Sequence, residues 1–124
     1  MADKVDKRGQ RVGQESSAEE LHPLRKSLKK LRYSLESLSS LYPRKTVKRY
    51  LRPLKSLQKT LGAINDAAVA LRLAEELAQE RIDAAIGVAA LARTEENASR
   101  DARQRLGKEW AAYRRQERFW RKQA

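Results

Sequence analysis

Arginines and lysines set one helical turn apart are the residues of this sequence best suited to chemistry. His22, Arg25, Lys26, Lys29, Arg32 and Tyr33 form one such group. Lys45, Lys48, Arg52, Lys55 and Lys59, with Arg49 alongside, form a second. Steps of three and four residues bring side chains onto one face of a helix, about 5.4 Å apart along its axis. A guanidinium grips phosphate oxygens with two parallel hydrogen bonds, and an ammonium acts as a compact point charge. The chemistry expected of such rows is capture of a polyanion. Catalysis is not expected, because His22 has no nucleophile or orienting carboxylate at a suitable offset. The chain has no cysteine and one histidine, which excludes disulfides, thiolate zinc sites and histidine clusters. A metal held by Asp66 alone would lack the several oxygens that hard cations require, so neither metal nor cofactor is expected.

The charge is concentrated. Across 124 residues the formal net charge is +12, yet residues 1–20 are net −1 and residues 61–100 net −3. Residues 21–60 hold twelve cations against the single acid Glu36, and residues 101–124 add a net +5. A solvated helix face ordinarily mixes both signs and gains from pairs four residues apart. A face with one carboxylate among about a dozen cations repels itself, and a bound anion relieves that repulsion. Of the seven aromatic residues only Tyr33 falls squarely on this face. Single-stranded nucleic acids are bound by interleaving aromatics with cations, so a partner made of phosphate alone fits better. Nucleic-acid phosphate remains the alternative.

The elements that must position these cations are helical. Leu21, Leu24, Leu28, Leu31, Leu35 and Leu38 make an apolar stripe, with the cations of that segment about 150° around the wheel. Val47, Tyr50, Leu51, Leu54, Leu57 and Leu61 make a second stripe opposite Lys45 to Lys59. Two openings of the first helix fit the sequence: a capping box from Ser17 and Glu20, or His22 as cap with Pro23 in the first turn. That helix is expected to run to about Leu41, and the second from near Thr46 to Leu61 with a kink at Pro53. Gly62 to Asp66 reads as a break, with Asn65 and Asp66 as caps. A third helix then covers about Asp66 to Gln79, and a fourth starts near Ile82. Ala84 to Ala92 would pack closely within the core. Leu106, Trp110, Tyr113 and Trp120 recur at helical spacing, as core or as a self-association face. Arg114, Arg115, Arg118, Arg121 and Lys122 either extend the anion surface or keep the end soluble. Residues 1–16, with Gly9, Gly13 and little apolar content, read as a flexible polar arm, a leader or linker, before a helical domain over 17–124. The expected fold is all-α, an antiparallel four-helix bundle.

The segment Leu21 to Glu36, LHPLRKSLKKLRYSLE, followed by LQKTLG at Leu57 to Gly62 and AIND at Ala63 to Asp66, resembles the CHAD family, the conserved-histidine α-helical domain. The matching positions are His22, Arg25, Lys29, Leu31, Arg32, Tyr33 and Glu36, then Leu57, Gln58, Leu61, Gly62, Asn65 and Asp66. Phe119-Trp120 resembles the family's usual close, so the likeness covers about residues 18–121. The resemblance implies an all-helical fold that binds inorganic polyphosphate without catalysis. Its site here would comprise His22, Arg25, Lys26, Lys29, Arg32, Tyr33, Lys48, Arg52, Lys55 and Lys59. Glu36 would orient Arg32, four residues earlier. His22 would serve either as a protonated phosphate donor or to fix the start of its helix. Tyr33 would either donate to a phosphate or cap the bundle edge. CHAD proteins typically carry two four-helix halves, and only the later one is visible here. A fragment, a divergent half-length member and a homodimer that replaces the missing half all fit. With the longest apolar run only nine residues, Ala84 to Ala92, against ~20 needed to span a bilayer, the expected location is the cytoplasm; the resemblance to a polyphosphate-binding family adds association with polyphosphate granules.

Overall fold

The computed structural model describes residues 1–81 and 85–121. Its helices are α1 (Ala2–Gln10), α2 (Ala18–Leu38), α3 (Arg44–Glu80) and α4 (Ala85–Arg114). Short 3-10 turns follow α2 at Ser39–Leu41 and close the described chain at Phe119–Arg121. No strand occurs among the described residues, and the all-α bundle is as expected, though its helices are not divided as the sequence suggested.

The largest difference is at the start. The sequence reads as a flexible arm over residues 1–16, but α1 is a helix whose Ala2, Val5 and Gly9 are buried. Two small side chains at positions 2 and 5 and a glycine at position 9 carry too little apolar area to announce a helix. What they do is fit a narrow crevice beside Trp110 of α4: a Cβ added at Gly9 would collide with the Trp110 ring. Polar contacts complete the docking. Arg118 bridges Asp3 (2.7 Å) and Asp6 (2.5 Å), Arg114 lies 3.6 Å from Asp6, and Arg8 donates to the Pro23 carbonyl at 3.1 Å. Arg114 and Arg118 therefore face carboxylates of α1 rather than extending an anion surface. Arg103 ties down the following loop by donating to the carbonyls of Gln14 and Ser16.

Helix α2 opens with the Ser17–Glu20 capping box, at 2.9 and 3.1 Å, and carries Pro23 inside it rather than using His22 as cap. Its buried stripe runs from Leu21 to Leu35, while Leu38 is exposed. The expected break at Gly62 to Asp66 does not exist, since α3 is continuous for 37 residues, about 55 Å. Leu57, Leu61, Ile64, Ala67 and Ala74 keep one face buried across the segment. Packing along α4 outweighs the ~1 kcal/mol helix penalty of Gly62. Asn65 and Asp66 are thus helix-interior residues, not caps. Among the described residues the number of α-helices stays at four because α1 replaces the one lost by this fusion.

The core lies where α2, α3 and α4 meet, with α1 filling the remaining side. Leu24, Leu28, Leu54, Leu57, Leu61, Ile64 and Val5 are its most fully buried large side chains, each worth about 1.5–3 kcal/mol of apolar burial. Leu106 and Tyr113 are buried, and Trp110 and Trp120 pack against the cluster. Tyr50 makes edge-on contacts with Tyr113, Phe119 and Trp120. Leu106, Trp110 and Tyr113 of α4, with Trp120 of the closing 3-10 turn rather than of the helix, therefore belong to the core. The alanine-rich stretch is not: Ala85, Ala89 and Ala90 are exposed and Ile86 is 88% exposed. Here α3 and α4 extend beyond the ends of α1 and α2, so only one side of each is covered.

Candidate functional site

Helix geometry sorts the cations of α2 into two sets. At about 100° per residue from Leu21, Arg32, Arg25 and Lys29 fall at about 20°, 40° and 80°, on the flank of the buried stripe. Tyr33 and Lys26 fall farther round, at about 120° and 140°. Burial follows this division except at Lys29. Arg25 and Arg32 are half-buried, while Lys26, Lys29 and Tyr33 are exposed. The flank containing Arg32 is the one turned towards α3, because its Nη1 donates to Gln58 Oε1 at 3.2 Å. The same guanidinium donates from Nε to Glu36 at 3.1 Å, as the spacing of four suggested. Arg32 is thereby held between two helices by a carboxylate on one side and an amide on the other.

On α3 the cations form a broad arc. From Val47, Gln58 falls at about 20°, Lys55 at 80°, Lys48 at 100°, Lys59 at 120° and Arg52 at 140°. All four of these cations are exposed. Among the described residues Arg25, Lys29, Lys48, Arg52, Lys55 and Lys59 form no ion pair. Glu36, the lone acid of this stretch, is already engaged by Arg32.

The expected set is not one cluster. Because α2 and α3 are antiparallel, His22 lies beside Asn65, Val69, Arg72 and Glu75 in a concavity of mixed charge. It sits at the far end of the row, beside a stretch of α3 that begins about 9 Å beyond Lys59. Lys48 and Arg52 line a groove between α3 and α4, shared with Lys45, Arg49 and Lys108. Lys48 also reaches a smaller concavity at the α2–α3 turn, beside Glu36 and Ser39. Sequence reasoning missed Lys108, which lies in a stretch of mixed charge without a row of its own. Gln58 was quoted as part of a signature, but its link to Arg32 needed the register of the two helices.

Among the described residues no group of three or more His, Asp or Glu side chains could hold a metal ion. No helix there is long and apolar enough to cross a membrane. The side chain of Arg121 and all of Lys122 lie outside what is described.

A family model described as CHAD domain matches residues 1–75. The match takes in α1, α2 and most of α3, so it begins earlier than the likeness seen in the sequence and leaves Phe119-Trp120 outside. No curated protein and no solved structure matches the chain.

Proposed function

From the chain's membership of the CHAD domain family, a family of binding domains linked to polyphosphate, we propose that it binds inorganic polyphosphate non-catalytically along α2 and α3. The observation that carries this reading is the α2 flank itself. Arg32 meets Gln58 of α3, Arg25 and Lys29 share its side of α2 by helical spacing, and Lys55 and Lys59 of α3 are exposed while Glu36 is already paired. A linear polyanion laid along the seam would meet a cation at every turn. The α2 residues alone span about 10 Å from Arg25 to Arg32. Arg32, fixed by Glu36 and Gln58, loses little side-chain freedom when it takes up a phosphate. Tyr33 is the one aromatic on this face and is 56% exposed. That is a poor platform for stacking bases, which favours polyphosphate over nucleic acid.

Replacing Arg25, Lys29 and Arg32 together by Glu is the test. The triple variant is expected to lose polyphosphate binding while its far-UV circular dichroism remains that of the parent. If the seven cations Arg25, Lys29, Arg32, Lys48, Arg52, Lys55 and Lys59 each meet one phosphate, log K falls with log salt at a slope of about −5. That is about a thousandfold loss of affinity between 50 and 200 mM salt. Unchanged affinity in the triple variant would refute the site. RNA that resists displacement by polyphosphate at equal phosphate concentration would favour the nucleic-acid alternative.

A further inference from the structure

The groove between α3 and α4 has a composition the α2–α3 seam does not explain. Four cations of α3, namely Lys45, Lys48, Arg49 and Arg52, converge there with Lys108 of α4. All five are exposed, and none has an ion pair among the described residues. The one carboxylate in the lining, Glu109, accepts a hydrogen bond from the Thr60 hydroxyl and lies 3.9 Å from Arg105. Its charge is thus shared with groups other than these five. The remaining lining is small and uncharged: Pro53, Ser56, Ala112 and Gln116.

Like charges three and four residues apart on one helix repel. Lys45 and Arg49, Lys48 and Arg52, Lys45 and Lys48, and Arg49 and Arg52 are all such pairs. A fifth cation brought in from α4 adds to the cost, and a bound anion removes it. The concave shape aims several cations at one volume, where a flat face would spread them along a line. No aromatic side chain lines the groove, so it offers nothing on which a base could stack.

We infer that the α3–α4 groove is a second anion seat, which takes a short inorganic oligophosphate of a few units through Arg49 and Lys108 together with Lys45, Lys48 and Arg52. Arg49 supplies a fork for two phosphate oxygens, and Lys108 closes the opposite wall as a point charge. Lys108 lies on the part of the chain beyond residue 75, where the family match ends. Lys48 and Arg52 are counted in the α2–α3 reading as well, so the seat is tested through Arg49 and Lys108, which do not belong to that seam.

Sodium tripolyphosphate titrated calorimetrically into the full chain tests this inference. The Arg49→Gln/Lys108→Gln variant is expected to lose about tenfold or more in affinity, with the slope of log K against log salt reduced by about 1.5. Lys4→Gln/Lys7→Gln removes the same charge from exposed positions of α1, outside both proposed sites. That variant is expected to stay within about threefold of the parent, the range left to long-range screened charge. Without ligand, the groove variant is expected to melt no lower than the parent, since it only relieves repulsion between exposed groups. The inference is overturned if tripolyphosphate does not bind the parent chain, if the groove variant binds as the parent does, or if the matched α1 variant loses as much as the groove variant. Long polyphosphate titrated into the Arg25→Glu/Lys29→Glu/Arg32→Glu variant reads the α2–α3 seam, so a failure there is told apart from a failure of the groove.

Discussion

Substituting alanine for single glycines gives opposite signs depending on whether α1 docks as described. Adding a methyl to a helix-interior glycine normally stabilises by up to ~1 kcal/mol, because the unfolded chain loses freedom and the helix gains propensity. Gly107, within α4, has nothing within 4 Å of the position a Cβ would take, and its φ is not positive. Gly107→Ala is therefore expected to stabilise by about 0.5–1 kcal/mol. Gly9 is the reverse case. Its Cβ would fall on the Cη2, Cζ2 and Cζ3 atoms of Trp110, and that ring cannot simply swing into water. It packs 5.6 Å from Tyr113, centroid to centroid, and has the Arg114 guanidinium 5.6 Å from its centre. Overpacking of this kind costs about 1–3 kcal/mol. Gly9 lies one residue from the end of α1, where the propensity gain shrinks to tenths, so the cost wins. For a chain of this size each kcal/mol moves the melting temperature by about 3–6 °C. Urea and thermal unfolding of the two variants should thus shift in opposite directions. Trp110→Phe removes the obstructing part of the indole, and Gly9→Ala made in that background should recover at least ~1 kcal/mol of its cost. If Gly9→Ala stabilises as much as Gly107→Ala, with no dependence on Trp110, then α1 does not lie in the crevice and the core has been drawn wrongly.

The buried tyrosine pair predicts an alkaline limit to stability. Tyr50 and Tyr113 are 3.1 Å apart, hydroxyl to hydroxyl, and burial pushes both above their ordinary value of 10.0. The folded state therefore holds protons that the unfolded chain would release. The stabilisation is intact below about pH 10 and declines as pH rises towards the folded values. Urea midpoints at pH 9 and pH 11 should diverge less in the Tyr50→Phe/Tyr113→Phe double variant than in the parent; equal divergence would exclude the pair as the cause. Glu36→Gln probes the α2–α3 seam from the opposite direction to the triple substitution. It removes the only carboxylate of that stretch while Arg32 keeps its bond to Gln58, so polyphosphate affinity should rise several-fold, from roughly 0.7–1 kcal/mol of screened repulsion. Stability should fall by no more than ~0.5 kcal/mol, because the lost pair is exposed; unchanged affinity would count against the seam as the place where phosphate lies.

Much of α2 and the first half of α3 was legible in the sequence because period and chemistry agree there. Leucines at steps of three and four bury one side, and every remaining position of note is a cation, so the exposed rows follow without coordinates. The Ser17–Glu20 cap and the Arg32–Glu36 pair were legible for the same reason, since both partners lie within one helical turn. Local signals misled where distant packing overrode them. Gly62, Asn65 and Asp66 look like punctuation, yet the apolar face from Leu57 to Ala74 runs straight through them against α4. The opening segment looks like a polar arm because its contribution to the core is two small side chains and a glycine.

The sequence by itself settled that the chain is helical, that its charge is gathered on the two leucine-striped segments, and which side of each segment faces water, because these depend on spacing within one turn. Tertiary structure alone decided that α1 belongs to the core, that α3 is unbroken, that Arg32 meets Gln58, and that Lys108 joins four cations of α3. Each of those is a relation between residues tens of positions apart. It is fixed by the register in which antiparallel helices dock, and that register is set by how side chains of particular shape, such as Trp110 over Gly9, fill the space between them.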